Sequence, residues 1–122
     1  MTMSLLIVDD SELIRTRLLR LLEGIHIAAI HTAATLAQAR ESVQRLLPTL
    51  LILDLHLPDG NALQITPALK QLCPTMQIAM YTNDAGAFNR RKCLQAGADW
   101  FFDKSTEFEN LREVVQRHAA FH

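Results

Sequence analysis

The sequence is poor in the residues on which several protein classes depend. It contains 2 cysteines, 4 glycines and 4 prolines among 122 residues. Two cysteines are too few for a disulfide framework in a chain of this length, so we expect Cys73 and Cys93 to be free thiols. Apolar residues still make up 49% of the chain, which is enough to bury a core, and we expect residues 1–122 to form one domain.

Long apolar runs and an excess of basic charge are also missing. No run approaches the roughly 18 apolar residues of a membrane span, and the run at residues 5–8 is too short for a secretion signal. Twelve basic and thirteen acidic residues give a formal net charge of −1, which offers no large positive field for nucleic-acid phosphates. We therefore expect a cytoplasmic protein that binds neither membranes nor nucleic acid directly.

Short apolar runs alternate along the chain with segments of helical periodicity. The runs predict five strands, at residues 5–8, 25–30, 50–53, 76–81 and 100–102. A helix is predicted after each strand, with Ser11 as the N-cap of the first and Asn61 as the N-cap of the third. Strict alternation predicts an α/β fold with a doubly wound, five-stranded parallel sheet, of the flavodoxin-like (βα)5 type, in the order 2-1-3-4-5.

Two of the predicted helices have a local weakness. Pro67 lies inside the third helical segment, where its ring would clash with a preceding carbonyl, so we expect a kink or a late start. The fourth helix, predicted at residues 84–95, contains Gly86 and has a poor apolar stripe. We expect its stability to be marginal.

Acidic residues follow the first and third predicted strands. They are Asp9 and Asp10 after the first strand and Asp54 after the third. In the predicted strand order, ligands bind beyond the carboxyl ends of these two strands, where they diverge. Carboxylates about 5 Å apart repel by roughly 3 kcal/mol per pair at an effective dielectric constant of about 20. The cluster therefore requires cations.

The remaining strand ends supply a hydroxyl group and a positive charge. Thr82 follows the fourth predicted strand, and Lys104 lies just beyond the fifth. Mg²⁺ would complete the neutralisation, because it prefers oxygen ligands and bridges to phosphate oxygens. Zinc is disfavoured, since no Cys or His lies at a ligand spacing. A site balanced in this way can accept a phosphoryl group.

The strand-end motifs together resemble a known family. VDD at residues 8–10, LDLHLPDG at 53–60, Thr82, GAD at 97–99 and Lys104 resemble the receiver domain of response regulators, the CheY-like family of two-component signalling. The resemblance spans essentially the whole chain. It implies a phosphorylation-dependent switch that assists its own phosphorylation and dephosphorylation, and not an enzyme acting on external substrates.

The resemblance also implies a role for each site residue. Asp54 would accept a phosphoryl group from the phosphohistidine of a sensor histidine kinase or a histidine phosphotransfer protein. Asp10 would bind Mg²⁺ directly and Asp9 mostly through water, with Asp54 and the backbone carbonyl of His56 as further ligands. Lys104 and Thr82 would contact the phosphoryl oxygens.

The output implied by the resemblance is a change of surface. As Thr82 shifts, Phe101 would turn inward, and the face formed by the fourth helix, fifth strand and fifth helix would change. That face would control an effector protein or a fused output domain, and could support a homodimer. His56 and Asp84 would flank the phosphoryl group and tune its lifetime. Asn83, where the family usually has a small residue, would reduce access by small phosphodonors.

Three alternatives differ in what they require. A haloacid dehalogenase phosphatase needs a second aspartate two residues after the first, where this sequence has His56. A flavodoxin needs a Ser/Thr/Gly-rich phosphate loop after the first strand, and the sequence has Asp-Asp-Ser-Glu there. A receiver-like module that binds partners without phosphorylation stays open. The sequence does not decide between a free-standing domain and a piece of a longer protein.

Overall fold

A five-stranded parallel sheet forms the centre of the molecule. The computed structural model describes residues 3–121. The strands are β1 (Ser4–Val8), β2 (Ala29–Ala33), β3 (Leu50–Leu53), β4 (Gln77–Thr82) and β5 (Trp100–Asp103). They are all parallel and lie in the order β2-β1-β3-β4-β5. The predicted fold class and strand order are confirmed.

Five helices cover the two faces of this sheet. They are α1 (Glu12–Leu21), α2 (Leu36–Leu46), α3 (Thr66–Leu72), α4 (Ala87–Ala96) and α5 (Phe108–Ala120). One apolar core contains buried residues of α2, α3 and α4, and the other contains those of α1 and α5. Since β1 is buried on both faces, Leu6 and Val8 point into the first core and Leu5 and Ile7 into the second. No helix in residues 3–121 is long and apolar enough to cross a membrane.

The predicted position of the second strand is wrong. The strand lies at Ala29–Ala33, and not at residues 25–30. After α1 the chain still turns at Gly24, whose φ is 88°, and the N–H of Ile25 donates to the carbonyl of Leu22. The true strand lies at the edge of the sheet and exposes His31 and Thr32. An edge strand with polar outward positions lacks the apolar run that marks a buried strand.

The late start predicted for the third helix is confirmed. A 3₁₀ turn at Ala62–Gln64 comes first, and α3 begins only at Thr66. Pro67 therefore lies in the first turn, where its missing N–H breaks no helical hydrogen bond. Asn61 caps the 3₁₀ turn by accepting the N–H of Leu63 at 2.8 Å.

The fourth helix begins three residues later than predicted. Gly86 is its N-cap residue, and no side chain caps the first turn. Cys93 is its buried residue, so α4 is attached to the core by little apolar surface. Asp84, which the sequence placed in the helix, lies instead in the loop before it, where its side chain is available to the site.

Candidate functional site

The polar side chains of the site come from the carboxyl ends of β1, β3, β4 and β5. Asp9 follows β1, and Asp54 follows β3. The N–H of Asp54 donates to the carbonyl of Val8 at 2.9 Å, which continues the pairing of the two strands beyond their ends. Asp9, Asp54 and Thr82 are almost fully buried. This burial makes the charges of the two acids costly unless cations compensate them.

Three carboxylates lie close enough to bind one ion. Oxygens of Asp9, Asp10 and Asp54 all lie within 4.8 Å of one another. Asp10 is exposed, whereas the other two are buried, so an ion could enter from the solvent side. Oxygen donors in this number suit Mg²⁺, which keeps several waters and needs few protein ligands. The residues present therefore fit the ion that the sequence suggested.

Lys104 lies between two of these acids. Its Nζ donates to Oδ2 of Asp9 at 2.6 Å and to Oδ2 of Asp54 at 3.0 Å. The side chain is 7% exposed, and the ammonium also lies 5.7 Å from the centre of the Tyr81 ring. The backbone N–H of Lys104 donates to the carbonyl of Thr82, which fixes the residue beside the end of β4. The predicted cation thus lies at the acidic cluster.

Burial and charge act in opposite directions on this ion pair. Burial is the main cause that raises the pKa of Asp54, and the hydrogen bond from Lys104 only partly opposes it. Burial also acts to lower the pKa of Lys104, but hydrogen bonds to Asp9 and Asp54 raise it above its ordinary value. Both pKa values are therefore raised, that of Asp54 mainly by burial and that of Lys104 by its two acidic partners. Asp54 is therefore an incompletely neutralised carboxylate.

The two residues of the predicted switch lie on neighbouring strands. Oγ1 of Thr82 accepts the N–H of Asp84 at 3.1 Å, which leaves its hydroxyl proton for another acceptor. Phe101 pairs with Met80 across β4 and β5 and is 4% exposed. Its ring lies in the core between the sheet and α4, together with Cys93. Phe101 is therefore directed inward in this structure.

An exposed pair connects two loops above the site. Nε2 of His56 lies 2.7 Å from Oδ2 of Asp84, and the hydrogen bond with His56 lowers the pKa of Asp84. Asn89 donates to the carbonyl of Asp84 at 3.0 Å and so ties the same loop to α4. The sequence predicted that both residues flank the site but missed their contact. The sequence does contain a clue to this contact, because His56 and Asp84 lie two residues beyond Asp54 and Thr82, respectively.

Two supporting contacts were not predicted. Asp59 accepts the N–H groups of Leu36 and Ala37 at 2.8 and 3.1 Å. It therefore binds the first turn of α2 and anchors the loop that follows Asp54. Arg15 of α1 donates to the backbone carbonyl of Asp9 at 2.6 Å. The Asp59 contact with Leu36 spans 23 residues, and the Arg15 contact spans 6.

Comparisons with known proteins agree with this geometry. The family description "response regulator receiver domain" matches residues 5–116. The transcriptional activator protein ExaE of Pseudomonas putida is 32% identical over 121 residues, which cover 98% of this chain and 56% of that protein. The photosynthetic apparatus regulatory protein RegA of Rhodobacter capsulatus is 29% identical over 112 residues, which cover 92% and 60%. This chain thus spans little more than half the length of these regulators.

Solved structures agree as well. The crystal structure of a CheY-like response regulator receiver domain protein from Methanospirillum hungatei JF-1 has a TM-score of 0.87 and 26% identity, and the match covers 99% of this chain and 96% of that one. Receiver domains are phosphorylation switches that work with histidine kinases and output domains, and they generally bind Mg²⁺ at an acidic pocket. On the sequence match and the fold together, this chain belongs to the response regulator receiver domain family.

Proposed function

We propose that this domain is switched by phosphorylation of Asp54. The donor is the phosphohistidine of a sensor histidine kinase or a histidine phosphotransfer protein. The observation that carries the proposal is the position of the Asp54 carboxylate, 3.0 Å from the Lys104 ammonium and within 4.8 Å of the other two acids. An oxygen nucleophile beside a fixed cation and a set of oxygen ligands suits phosphoryl transfer.

Mg²⁺ is the proposed cofactor, held by Asp9, Asp10, Asp54 and the backbone carbonyl of His56. The three carboxylates exceed the single charge of Lys104 by two, which is the charge of this ion. When bound, the ion neutralises charge on phosphoryl oxygens. The distribution of burial supports the division of roles, because exposed Asp10 is open to a hydrated ion whereas Asp9 is already hydrogen-bonded to Lys104.

The proposed chemistry forms one bond and breaks another. A carboxylate oxygen of Asp54 attacks phosphorus, and the bond from phosphorus to the histidine nitrogen breaks, with its electron pair returning to the imidazole. Lys104 exchanges its contact with Asp54 for one with a phosphoryl oxygen, and the Thr82 hydroxyl donates to another. Water later attacks phosphorus, the bond from phosphorus to the Asp54 oxygen breaks, and inorganic phosphate leaves while the Asp54 carboxylate is restored. Lys104 and Thr82 contact the same phosphoryl oxygens in this step, so the domain assists its own dephosphorylation.

The proposed output is a movement of the loop between Thr82 and α4. When Thr82 turns toward the phosphoryl group, the loop before α4 follows, because the N–H of Asp84 donates to Thr82 and Asn89 of α4 donates to the carbonyl of Asp84. Phe101 is already buried beneath α4, and its ring shifts further into the space released, so that the α4-β5-α5 surface changes. We infer that this surface controls an effector protein or a fused output domain in the cytoplasm, and that it is also the face through which a homodimer would form.

The pair His56 and Asp84 is proposed to set how long the phosphoryl group survives. Their side chains are each about half exposed, and they bridge the two loops between which the phosphoryl group would lie. Water and small phosphodonors must pass the same opening. Asn83, also exposed there, adds bulk and is expected to slow reaction with small donors relative to a protein phosphodonor.

Fluorescence tests the proposal because the chain has a single tryptophan, Trp100, next to Phe101. Mg²⁺ with beryllofluoride, a phosphoryl mimic, should change its emission in the wild type. An Asp54→Asn variant should not respond. A hydrolytic phosphatase would instead turn over p-nitrophenyl phosphate repeatedly. A response of similar size in both proteins, or no response in either, would contradict the proposal.

A further inference from the structure

A cavity lies at the edge of the sheet opposite Asp54, where β4 and β5 begin. Its volume is about 460 Å³, within the range of roughly 300–1,000 Å³ that is usual for small-molecule sites. Trp100, Val114 and Phe121 provide apolar walls, and Thr75, Gln77 and Arg117 provide polar groups. None of these residues takes part in the proposed phosphorylation chemistry.

Two aromatic side chains line the cavity. Trp100 is half-buried at the start of β5, and Phe121 follows the last turn of α5 with its side chain 83% exposed. Val114 and Phe121 are seven residues apart, so they lie on the same side of α5. A flat ring would bury apolar surface of both aromatic groups at once, and aromatic contacts add to the gain from burial.

The charge of the cavity is positive. None of its seven lining residues is acidic. Within residues 3–121, Arg117 makes no ion pair or hydrogen bond. By contrast, Arg112 on the same helix donates to the carbonyls of Leu21 and Glu23 and to Gln116. The guanidinium of Arg117 is thus not used to hold the fold, and it can bind a carboxylate through two parallel hydrogen bonds.

The inner end of the cavity is fixed by a buried contact. Nδ1 of His118 lies 2.9 Å from Oε1 of Gln77, and His118 is 5% exposed. His118 is buried because this turn of α5 packs on the start of β4. The contact joins α5 to the sheet beneath the cavity. The parts of the cavity on β4, β5 and α5 are therefore preformed, which lowers the ordering cost of binding, whereas Phe121 lies beyond the end of α5.

We propose that this cavity binds a small planar aromatic carboxylate. Its ring lies between Trp100 and Phe121, and its carboxylate pairs with Arg117. The walls supply the apolar surface and the guanidinium supplies the charge selectivity. The cavity and Asp54 share no residue, so binding in the cavity does not require phosphorylation of Asp54, although Trp100 and Arg117 lie in the β5 and α5 parts of the proposed output surface.

Nuclear magnetic resonance of the full chain tests the proposal. The probe is 2-naphthoate, and the signal followed is the indole N–H of Trp100, the single such group in the sequence. We expect a saturable shift with a dissociation constant of about 1 mM or tighter, equivalent to about 4 kcal/mol. Naphthalene-2-methanol, which has the same ring system without the charge, should bind at least about 10-fold more weakly.

Two variants locate the binding. Arg117→Gln should weaken 2-naphthoate binding about 10-fold or more while leaving the alcohol unchanged. Arg91→Gln removes an exposed arginine of α4 outside the cavity and should change neither affinity. Since Arg117 holds nothing in the fold, its variant should keep a dispersed amide spectrum. The proposal fails if no saturable shift occurs up to about 10 mM, if acid and alcohol bind equally, or if both arginine variants behave alike.

Discussion

Lys104 is the residue on which the acidic cluster depends most. Its side chain is 7% exposed and hydrogen-bonded to both Asp9 and Asp54, so Lys104→Gln leaves two buried like charges without their cation. Removing one partner of a buried pair costs about 3–5 kcal/mol. Because solvent reaches this cluster past exposed Asp10, we expect a loss of about 2–3 kcal/mol in the free energy of unfolding, measured with urea in EDTA.

The control for Lys104 is another lysine of the same protein. Lys92→Gln removes an exposed charge on α4 and should change the free energy of unfolding by no more than about 0.5 kcal/mol. Saturating Mg²⁺ should reduce the deficit of the Lys104 variant, since an ion that binds only the folded state stabilises it. Equal stability of both variants in EDTA would show that the ammonium does not neutralise the cluster.

Replacement of Asp54 should raise the free energy of unfolding, whereas replacement of Lys104 lowers it, and the effect should depend on pH. Burial raises the pKa of Asp54 in the folded state above its ordinary value of 3.8, so the folded state takes up this proton first as pH falls. The ionised carboxylate therefore lowers stability at neutral pH, and this loss vanishes below the unfolded pKa. Without metal, Asp54→Asn should need more urea to unfold at pH 7, and its advantage should narrow toward pH 4.

Asp59 is a control for Asp54, because its pKa is shifted in the opposite direction. The N–H of Leu36 lowers the pKa of Asp59, so its contribution to stability is present above the unfolded pKa and is lost as pH falls through the folded pKa. Asp59→Ala should therefore be less stable than the wild type at pH 7, with a deficit that shrinks in acid. An Asp54→Asn advantage that grows on acidification would refute the assignment of burial as the dominant cause.

A short hairpin follows β3 and Asp54 and holds the chain that leads away from the site. It pairs His56–Leu57 with Gly60–Asn61, and Gly60 has a φ of 142°. A Cβ there would lie 2.7 Å from Oε1 of Gln64 and 3.1 Å from Cδ1 of Leu36. Gly60→Ala combines a strained backbone with these contacts, and we expect a loss of about 1–3 kcal/mol in urea unfolding.

Gly86 is the matched glycine for this test. A Cβ at Gly86 meets nothing within 4 Å, and its φ of −66° suits any residue. Because alanine is a poorer N-cap residue than glycine, Gly86→Ala should lose about 0.5 kcal/mol, which is less than the loss expected for Gly60→Ala. If both glycine variants lost equal stability, the loss would reflect glycine replacement in general and not the geometry of the hairpin.

The molecule as a whole was largely predictable because a parallel sheet has a simple sequence pattern. Buried strands are apolar runs, and their carboxyl ends converge on one edge, so the positions of Asp9, Asp54 and Lys104 follow from topology. The edge strand β2 lacks that pattern. The contacts of His56 with Asp84 and of Asp59 with α2 span 28 and 23 residues, and no local pattern specifies them. The phosphorylation roles stay predictions.

Unequal attachment of the helices predicts where the whole molecule moves. In α4, Cys93 is the one residue buried and no side chain caps the first turn, whereas α2 buries four residues and is capped by Thr35. Local opening is cheapest where little apolar surface is lost. In hydrogen exchange followed by mass spectrometry, we expect amides of α4 to exchange about 10-fold faster than those of α2, or more.

The phosphoryl mimic should change hydrogen exchange only in a protein that retains Asp54. With Mg²⁺ and beryllofluoride, we expect altered protection in α4, β5 and α5 of the wild type and none in Asp54→Asn, while α2 stays the same in both proteins. The reason is that Thr82 and Asp84 connect the site to α4 through the hydrogen bonds of one loop, whereas α2 is held by Asp59 on the other side. Changes spread evenly over all five helices would contradict a switch confined to the α4-β5-α5 surface.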